Sequence, residues 1–479
     1  MKLVPNLICA GCLLAGMASA QSPVTLTIDT RSPGRAIPAD FTGLSFGAVA
    51  ELPNHGGAAG CLFSPTNTQL VTLFKNSGIH HLRLGGSTVD GLKAALPGRA
   101  DIDSVFAFAK AADIKVLYSL RLLNGSAAED AATAGYIWNH YRPWLDGFAI
   151  GNEPDIRRYH YPPFGTGSDA SITNYSSWLA AWRKFAAAVG KAAPDAKFAA
   201  PDAAGRTWAA RFARDKKNSA LVAVVTQHYY VGGSPFIEGS REKIPAQEAI
   251  DKMLSPDWVA RKYPSFYGQV LRPALADGLP CRLTESNDYL KGVPDASDAF
   301  ASALWALDYL WWWAAHGVAG VNFHNTEWLT TDTVYLDASG NYRINPKAYA
   351  IKAFDLGAHG RVAPVSIINA NGLNLTAYAA GDAANLYVTI INKEHGAGAR
   401  AAAVAIVPKD ISSGNVAVMF LSAPDGNVGA TSGITLGGVP IANHVPWRGR
   451  WTMLHPVRNG ACAVTVPAAS AVVVKISTR

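Results

Sequence analysis

Two glutamates stand directly after short apolar runs, where a pair of acids could do chemistry. Glu153 lies in Gly-Asn-Glu-Pro at 151–154, and Glu285 lies in Leu-Thr-Glu-Ser-Asn at 283–287. Two carboxyl groups facing one cleft can cleave a glycosidic bond, because one protonates the leaving oxygen while the other meets the charge developing on the anomeric carbon. At a separation of about 5–5.5 Å the second can attack directly and configuration is retained. A lone glutamate in such a position is usually solvated, so this prediction depends on the pair.

The elements that would position the two glutamates are strands of a parallel barrel. Between residues 41 and 358, eight β-type runs alternate with alanine-rich stretches of helical periodicity. This alternation predicts an α/β fold, a (β/α)8 TIM barrel, whose active site lies at the carboxyl ends of the strands. Glu153 and Glu285 would follow the fourth and seventh strands and converge across the barrel mouth. The eight runs are 41–46, 80–84, 115–120, 147–150, 197–200, 223–230, 280–284 and 317–323.

The sequence pattern changes after residue 358. Residues 359–479 carry β-type runs separated by Gly, Asn, Asp and Pro, and they show no helical periodicity. This pattern predicts a C-terminal β-sandwich domain. Residues 21–40 precede the barrel and contain a strand-like segment at 24–28, which we expect to pack on the sandwich.

The first twenty residues have the organisation of a secretory signal peptide. Lys2 precedes a mostly apolar stretch at 3–17, and small residues lead up to Ala20. This order predicts cleavage near Ala20 and a secreted or periplasmic protein. Cys12 offers a lipoprotein as the alternative, which Cys9 disfavours because leucine is expected three positions before a lipidated cysteine.

Composition narrows the class of partner. The chain has 479 residues, of which 49% are hydrophobic and 16% charged, with a formal net charge of +7. No long basic run accompanies that excess, so nucleic acid is not an expected partner, whereas acidic saccharides fit it. The apolar run 299–323 is interrupted by Asp308 and His316, which favours a buried helix over a membrane span. His80-His81 has no further ligands at a metal-like spacing, and no phosphate-binding glycine loop is present, so neither metal nor cofactor is expected.

Five stretches of the sequence carry motifs that occur together, and they lie at 82–87, 150–155, 227–230, 285–292 and 317–324. Together they resemble glycoside hydrolase family 79, the β-glucuronidase and heparanase family of the retaining clan A hydrolases. The resemblance implies a TIM barrel with a C-terminal β-sandwich, and a secreted retaining exo- or endo-β-glucuronidase acting on glucuronate-containing oligo- or polysaccharides.

The resemblance implies roles for the residues around the scissile bond. Glu153 would be the general acid/base, Glu285 the nucleophile, and Asn152 the group that holds the 2-hydroxyl of the sugar. Arg83, at the end of the second strand, would lie near Glu285 and keep it ionised by charge proximity.

Further residues would support the nucleophile or meet the substrate. His228 and Tyr230 share one face of the sixth strand because strand side chains alternate, and Tyr230 would brace the nucleophile. The other substrate contacts that the resemblance implies are Ser87, Tyr289, Gly292 and Tyr335, with the loop of Tyr289 and Gly292 meeting a substrate carboxylate partly through backbone N–H groups.

The sequence departs from the family pattern at two places. Gly47 stands where the family commonly has an acidic residue, so Glu51 replaces that residue or the contact is missing. Lys291 precedes Gly292 where two glycines are expected. Separately, a basic segment with Arg157, Arg158 and His160 follows the acid/base and would either contact an anionic subsite or be a solvated loop.

Two other functions remain open from the sequence. One is a clan A hydrolase that cleaves a neutral sugar such as a xyloside, arabinoside or glucoside. The other is a carbohydrate-binding protein with a catalytically dead barrel, against which the retention of Glu153, Glu285 and Asn152 argues.

Overall fold

A computed structural model describes residues 23–91, 94–156, 172, 174–326, 328–457 and 460–478. The expected signal peptide and the basic segment with Arg157, Arg158 and His160 lie outside the described residues. Among the described residues, no helix combines the length and apolar character that a bilayer crossing requires.

Eight parallel strands close into a barrel in chain order, and the last strand pairs with the first. The predicted TIM barrel is therefore confirmed, and most predicted strand bounds are within two residues of those observed. Small side chains such as Ala149 and Ala199 pack with Leu117 in a separate apolar cluster contributed by neighbouring barrel strands. The barrel strands are β2 (Thr42–Gly47), β3 (His81–Gly85), β4 (Lys115–Leu120), β5 (Leu145–Ile150), β6 (Phe198–Ala203), β7 (Val222–Tyr230), β8 (Cys281–Asn287) and β9 (Gly320–Asn325).

Helices between the strands cover the outside of the barrel. The helix before β9 is buried along nearly its whole length, with Trp311 and Trp313 fully enclosed, so these tryptophans pack in the core as expected. That helix ends at Ala315. Gly317, two residues later, has a φ of +79°, and Val318 donates back to the Trp313 carbonyl at 3.1 Å. This left-handed C-terminal turn explains why β9 begins three residues later than predicted.

The helices are α1 (Thr68–Ser77), α2 (Arg99–Ala112), α3 (Ala127–Tyr141), α4 (Tyr175–Ala192), α5 (Trp208–Arg214), α6 (Lys216–Ser219), α7 (Ala246–Leu254), α8 (Tyr263–Phe266), α9 (Arg272–Ala276), α10 (Phe300–Ala315) and α11 (Lys347–Gly357). Two π-helical turns, Trp258–Lys262 and Tyr267–Leu271, flank α8.

The C-terminal part of the chain forms two stacked sheets, as predicted. The smaller sheet has the order β13-β1-β16-β20, and the larger has the order β12-β14-β15-β21-β17-β18 with β19 on β17. The N-terminal strand β1 (Val24–Ile28) runs parallel to β16 and antiparallel to β13. The remaining strands are β12 (Arg361–Ala363), β13 (Val365–Ile368), β14 (Leu375–Gly381), β15 (Asn385–Asn392), β16 (Ala402–Pro408), β17 (Gly414–Ser422), β18 (Thr435–Leu436), β19 (Thr452–Val457), β20 (Cys462–Val466) and β21 (Ser470–Ser477).

The larger sheet is apolar on both faces because it lies between two cores. On β21, Val472 and Val474 face the smaller sheet, while Ala471 and Val473 belong to the core of the barrel. A buried polar cluster joins the two domains, since Asp308 of α10 accepts hydrogen bonds from Tyr378 and Lys393. A short hairpin, β10 (Val334–Leu336) with β11 (Tyr342–Ile344), extends from the loop after β9.

Candidate active site

The two glutamates meet at the carboxyl end of the barrel. Glu153 follows β5, Glu285 lies near the end of β8, and the two residues are only 5% and 6% exposed. One carboxylate oxygen of each, together with a ring nitrogen of His228, lie within 4.8 Å of one another. The fold thus brings the two acids into one pocket.

A tight turn after β5 directs Glu153 into this pocket. Gly151 has a φ of +79°, and a Cβ there would lie 2.9 Å from the Cβ of Leu122, so glycine is required on both counts. Glu153 itself has a φ of +46°, a conformation that costs of order 1–3 kcal/mol for a non-glycine residue. Its N–H donates to the Asp202 carbonyl at 2.8 Å, which helps to hold the strained backbone in place.

Asp90 stabilises the same turn by accepting hydrogen bonds from backbone N–H groups. Its carboxylate accepts the backbone N–H groups of Leu122, Leu123 and Asn152 at 2.9–3.0 Å, so it fixes the residue next to Glu153. Burial raises the pKa of Asp90 to about 6 despite these hydrogen bonds. Asn152 turns its side-chain oxygen to Arg83, which donates to it at 2.5 Å.

Glu285 receives a hydrogen bond on each carboxylate oxygen. The Tyr230 hydroxyl donates to Oε1 at 2.8 Å, and Arg83 Nη1 donates to Oε2 at 3.0 Å. Burial alone would raise the pKa of Glu285, but the neighbouring histidines, Arg83 and the Tyr230 hydroxyl lower it to about 2. Glu285 is therefore an anion at neutral pH, as a nucleophile must be.

A protonated His324 would lower the pKa of Glu285 most, but near neutral pH the stabilising charge comes from Arg83 and His228. His324 Nδ1 lies 3.9 Å from Glu285 Oε2, but burial lowers the pKa of His324, which leaves its ring neutral near pH 7. Arg83 is fully buried and also contacts Ser45 and Asp202. The carboxylates of Asp202 and Glu285 raise its pKa even though burial opposes this.

His228 is enclosed by acids on both ring nitrogens. Its Nδ1 lies 3.0 Å from Glu153 Oε1 and 3.7 Å from Glu285 Oε2, while its Nε2 lies 3.3 Å from Asp202 Oδ1. Burial would lower the pKa of His228, but Glu285 and Asp202 raise it to about 10. The ring is therefore an imidazolium that donates to Glu153.

Of the predicted site residues, the structure brings Arg83, Asn152, His228 and Tyr230 into contact with the glutamate pair or with each other. Asp202, Asp90 and His324 belong to the same cluster and were missed. Asp202 ends β6 and Asp90 lies beyond β3, so the search for polar residues after each barrel strand could have found both. Ser87 lies half-buried in the loop after β3.

The loop after Glu285 differs from the expectation. Tyr289 is buried in an edge-to-face contact with Trp258, and its ring lies 2.2 Å from where a Cβ on Gly232 would stand. The N–H of Gly292 donates to the Tyr289 carbonyl at 3.2 Å, so it is used within the turn instead of pointing at a ligand. Gly292 has a φ of +63° and packs against Thr331, where a Cβ would come within 2.9 Å of the backbone.

Tyr335 and Glu51 also face away from the pair. Tyr335 lies on β10 and lines a cavity of about 280 Å³ between the hairpin and residues 431–444 of the C-terminal domain. Glu51 is buried behind β4, where it hydrogen-bonds to Tyr118, and burial raises its pKa to about 8. Glu51 therefore does not replace the acidic residue that the family commonly has at the position of Gly47.

Metal binding is disfavoured at the glutamate pair by its own charges. Glu153, His228 and Glu285 have ligand-type atoms close together, but Arg83 and the protonated His228 already supply the positive charge there.

The C-terminal domain matches a known family over nearly its whole length. Residues 359–473 match the glycosyl hydrolase family 79 C-terminal beta domain. This match confirms the resemblance to family 79 in the C-terminal domain. None of the curated proteins compared matches the chain in sequence.

Solved structures with the same fold include several glycosidases. A 4-O-alpha-L-rhamnosyl-beta-D-glucuronidase from Fusarium oxysporum 12S aligns with a TM-score of 0.70 and 19% identity, over 94% of this chain and 99% of that one. The GH51 arabinofuranosidase of Xanthomonas axonopodis pv. citri aligns with a TM-score of 0.67 and 14% identity, over 95% and 99%. A monomeric beta-xylosidase from Caulobacter crescentus CB15 aligns with a TM-score of 0.60 and 15% identity, over 95% and 99%. At these identities the likeness establishes the barrel-and-sandwich fold, and the family 79 match adds support for a glycoside hydrolase.

Proposed function

We propose that this protein is a retaining glycoside hydrolase that cleaves β-glucuronides by double displacement. The observation that carries the proposal is the separation of Glu153 and Glu285, whose nearest oxygens lie within 4.8 Å in one buried pocket. Retaining hydrolases have carboxyl groups about 5–5.5 Å apart, whereas inverting ones need about 6.5–9.5 Å to fit a water between them.

In the first step Glu285 attacks the anomeric carbon as the glycosidic bond breaks. Glu153 gives its proton to the leaving oxygen, so the aglycone departs as an alcohol and a glycosyl ester forms on Glu285. Since Oε1 of Glu153 faces His228, Oε2 is the oxygen suited to carry that proton. Asn152 lies beside the acid/base and is suited to hold the sugar 2-hydroxyl, a contact that strengthens in the transition state.

In the second step Glu153 acts as a base. It takes a proton from a water molecule, whose oxygen attacks the anomeric carbon and releases Glu285 as a carboxylate. Arg83 and Tyr230 each donate to Glu285, so they stabilise the negative charge as it returns. Two inversions at one carbon give net retention.

A glucuronide is the substrate that the comparisons favour. The C-terminal domain matches family 79, and the similar Fusarium oxysporum structure is that of a rhamnosyl-glucuronidase. A glucuronate-containing oligo- or polysaccharide is therefore the proposed natural substrate, with exo and endo cleavage both open. A neutral pentoside is the second candidate, because the arabinofuranosidase and the xylosidase share the fold almost as closely.

A panel of nitrophenyl glycosides tests the choice of sugar. We expect turnover of the β-glucuronide, and little turnover of the β-xyloside, α-arabinofuranoside and β-glucoside. Glu285→Gln is the matched control, since it keeps the side-chain volume and removes the nucleophile. Turnover of a pentoside instead would favour the second candidate, and a protein that cleaves none of the four yet binds oligosaccharide would favour a dead barrel.

We also propose that the chain is secreted after cleavage near Ala20. The support is the order of charged, apolar and small residues at 1–20. When the protein is expressed with its own leader, its intact mass should equal that of a chain beginning at Gln21. A mass that retains Met1, or that carries lipid on Cys12, would contradict this proposal.

A further inference from the structure

One carboxylate at the end of β6 touches both cations of the active site. Asp202 is fully buried, and its side chain contacts Arg83 and also lies 3.3 Å from His228 Nε2. Thr284 donates to the same carboxylate at 2.5 Å, and Thr226 accepts the backbone N–H of Asp202 at 2.9 Å. These contacts fix the carboxylate in place.

Asp202 is linked to each glutamate through a different cation. Arg83 bridges it to Glu285, because one guanidinium nitrogen contacts Asp202 and the other donates to Glu285 at 3.0 Å. His228 bridges it to Glu153, because its two ring nitrogens face the two acids.

Building on the proposed function, we infer that Asp202 is a positioning residue that keeps His228 doubly protonated and directed at Glu153. Through His228 and Arg83 it also balances the charge of the buried cluster in both half-reactions.

The balance follows from the groups that change charge. Before attack, Arg83 and His228 are positive and Asp202 and Glu285 are negative, while the proposed mechanism requires a proton on Glu153. In the glycosyl-enzyme, Glu285 is a neutral ester and Glu153 is the anion. The cluster is neutral in both states only if Asp202 is present, and a net charge in such a buried site is costly.

Removing the charge of Asp202 would leave the cluster with one excess positive charge. The guanidinium of Arg83 does not lose a proton in proteins, so His228 is the group that can restore neutrality by losing one. A neutral His228 has only one ring proton. It could therefore no longer present one proton to Glu153 and a second proton to residue 202. Among the residues that the structure describes, the charged or titratable groups around His228 that enter this balance are Asp202 on β6, Glu153 after β5, Glu285 on β8, Arg83 on β3 and His324 on β9.

The experiment is a titration of the histidine ring nitrogens by NMR in ¹⁵N-histidine-labelled protein, with His228 assigned from a His228→Asn variant. In the native protein we expect both ring nitrogens of His228 to stay protonated at pH 8. In Asp202→Asn we expect its midpoint to fall by about 1–3 pH units. The alkaline limb of kcat/KM on a nitrophenyl glucuronide should move down with it.

Asp146→Asn is the matched control, because it removes a carboxylate from a different histidine at the other end of the barrel. It should leave the titration of His228 unchanged. If His228 in the native protein titrates near its ordinary value of about 6.5, the inference is overturned, and that result does not require Asp202→Asn to fold. An unchanged His228 midpoint in folded Asp202→Asn would overturn it as well.

The titration also separates this inference from the proposed function. A protein that cleaves no glucuronide but loses the His228 proton in Asp202→Asn would refute the activity and leave the role of Asp202 standing. A protein that cleaves glucuronides while His228 is neutral would do the reverse.

Discussion

The two ends of the barrel each hold a buried histidine, an aspartate and an arginine, yet only one end is suited to proton transfer. At the carboxyl end, His228 has an acid against each ring nitrogen. At the amino end, His81 Nδ1 accepts from the Asn322 amide at 2.8 Å, and its Nε2 donates to Asp146 at 3.2 Å. Burial and the charge of Arg282 lower the pKa of His81.

The difference shows that the partner of the second nitrogen decides the chemistry of a buried histidine. An amide N–H requires an unprotonated ring nitrogen, so Asn322 holds His81 in one neutral tautomer. A carboxylate in the same place favours a second proton, so Asp202 and Glu153 hold His228 as a cation. The hydrogen-bond network at the amino end of the barrel is therefore structural, whereas the groups at the carboxyl end are suited to proton transfer.

Removing the proposed nucleophile is expected to have the largest effect. Glu285→Ala should lower kcat on a nitrophenyl glucuronide by on the order of 10⁴-fold or more, because it removes the carboxylate that is proposed to form the glycosyl ester. Added azide or formate should restore some turnover and give a product of inverted configuration. Loss of less than about tenfold would mean that another group performs the attack.

Removing the proposed acid/base should have an effect that depends on the leaving group. Glu153→Ala should cost about 10²–10⁴-fold on a poor leaving group such as an alkyl glucuronide, and much less on dinitrophenyl glucuronide, which needs no proton. Comparing kcat/KM for the two substrates measures this difference. Equal losses on both would contradict the acid role of Glu153.

Replacing His228 should mainly affect activity, whereas replacing His81 should mainly affect stability. His228→Asn should lower kcat/KM by about 10²-fold on poor leaving groups, since it removes the donor to Glu153. His81→Asn should leave kcat/KM close to its native value and lower the free energy of unfolding by about 1–3 kcal/mol, because it breaks a buried hydrogen-bond network. Parallel kinetics and thermal unfolding of both variants check the prediction. A similar loss of activity in both would remove the distinction between the two ends.

The smallest expected effect is a pair of opposite pH trends in stability. The pKa of His228 is raised from its ordinary 6.5 to about 10, so its contribution is complete below 6.5 and is lost as the pH rises through 10. The pKa of His81 is lowered, so its contribution is complete above 6.5 and is lost as the pH falls below that value. Thermal unfolding midpoints measured near pH 5, 7 and 9.5 check these trends. In His228→Asn the loss of stability between pH 7 and 9.5 should disappear, and in His81→Asn the loss of stability between pH 7 and 5 should become smaller. Unchanged slopes in both variants would contradict these assignments.

The architecture could be predicted from the sequence because hydrophobic periodicity and the positions of apolar runs determine it. The run 115–120 coincides with β4, and the strand at 24–28 is β1. The convergence of Glu153 and Glu285 followed from a rule of topology, since the carboxyl ends of parallel strands meet at one face of the barrel.

Side-chain direction in loops was harder to predict, because packing between distant elements sets it. Tyr289 turns into the core against Trp258, and Tyr335 points to the C-terminal domain on the outward face of a two-stranded hairpin. Asp202 could have been found as a polar residue after the predicted strand 197–200, but its role appears only when β3, β7 and β8 bring Arg83, His228 and Thr284 to it.

The most direct test is to trap the covalent intermediate. With a 2-deoxy-2-fluoro-glucuronyl fluoride as substrate, hydrolysis of the glycosyl-enzyme is slowed more than its formation. The glycosyl-enzyme should therefore accumulate and be visible as a mass increase of one fluoroglucuronyl group. Peptide mapping should find that group on Glu285 in the native protein, with no labelling of Glu285→Ala. A label on any other residue, or full inactivation of the enzyme without a covalent adduct, would contradict double displacement at this pair.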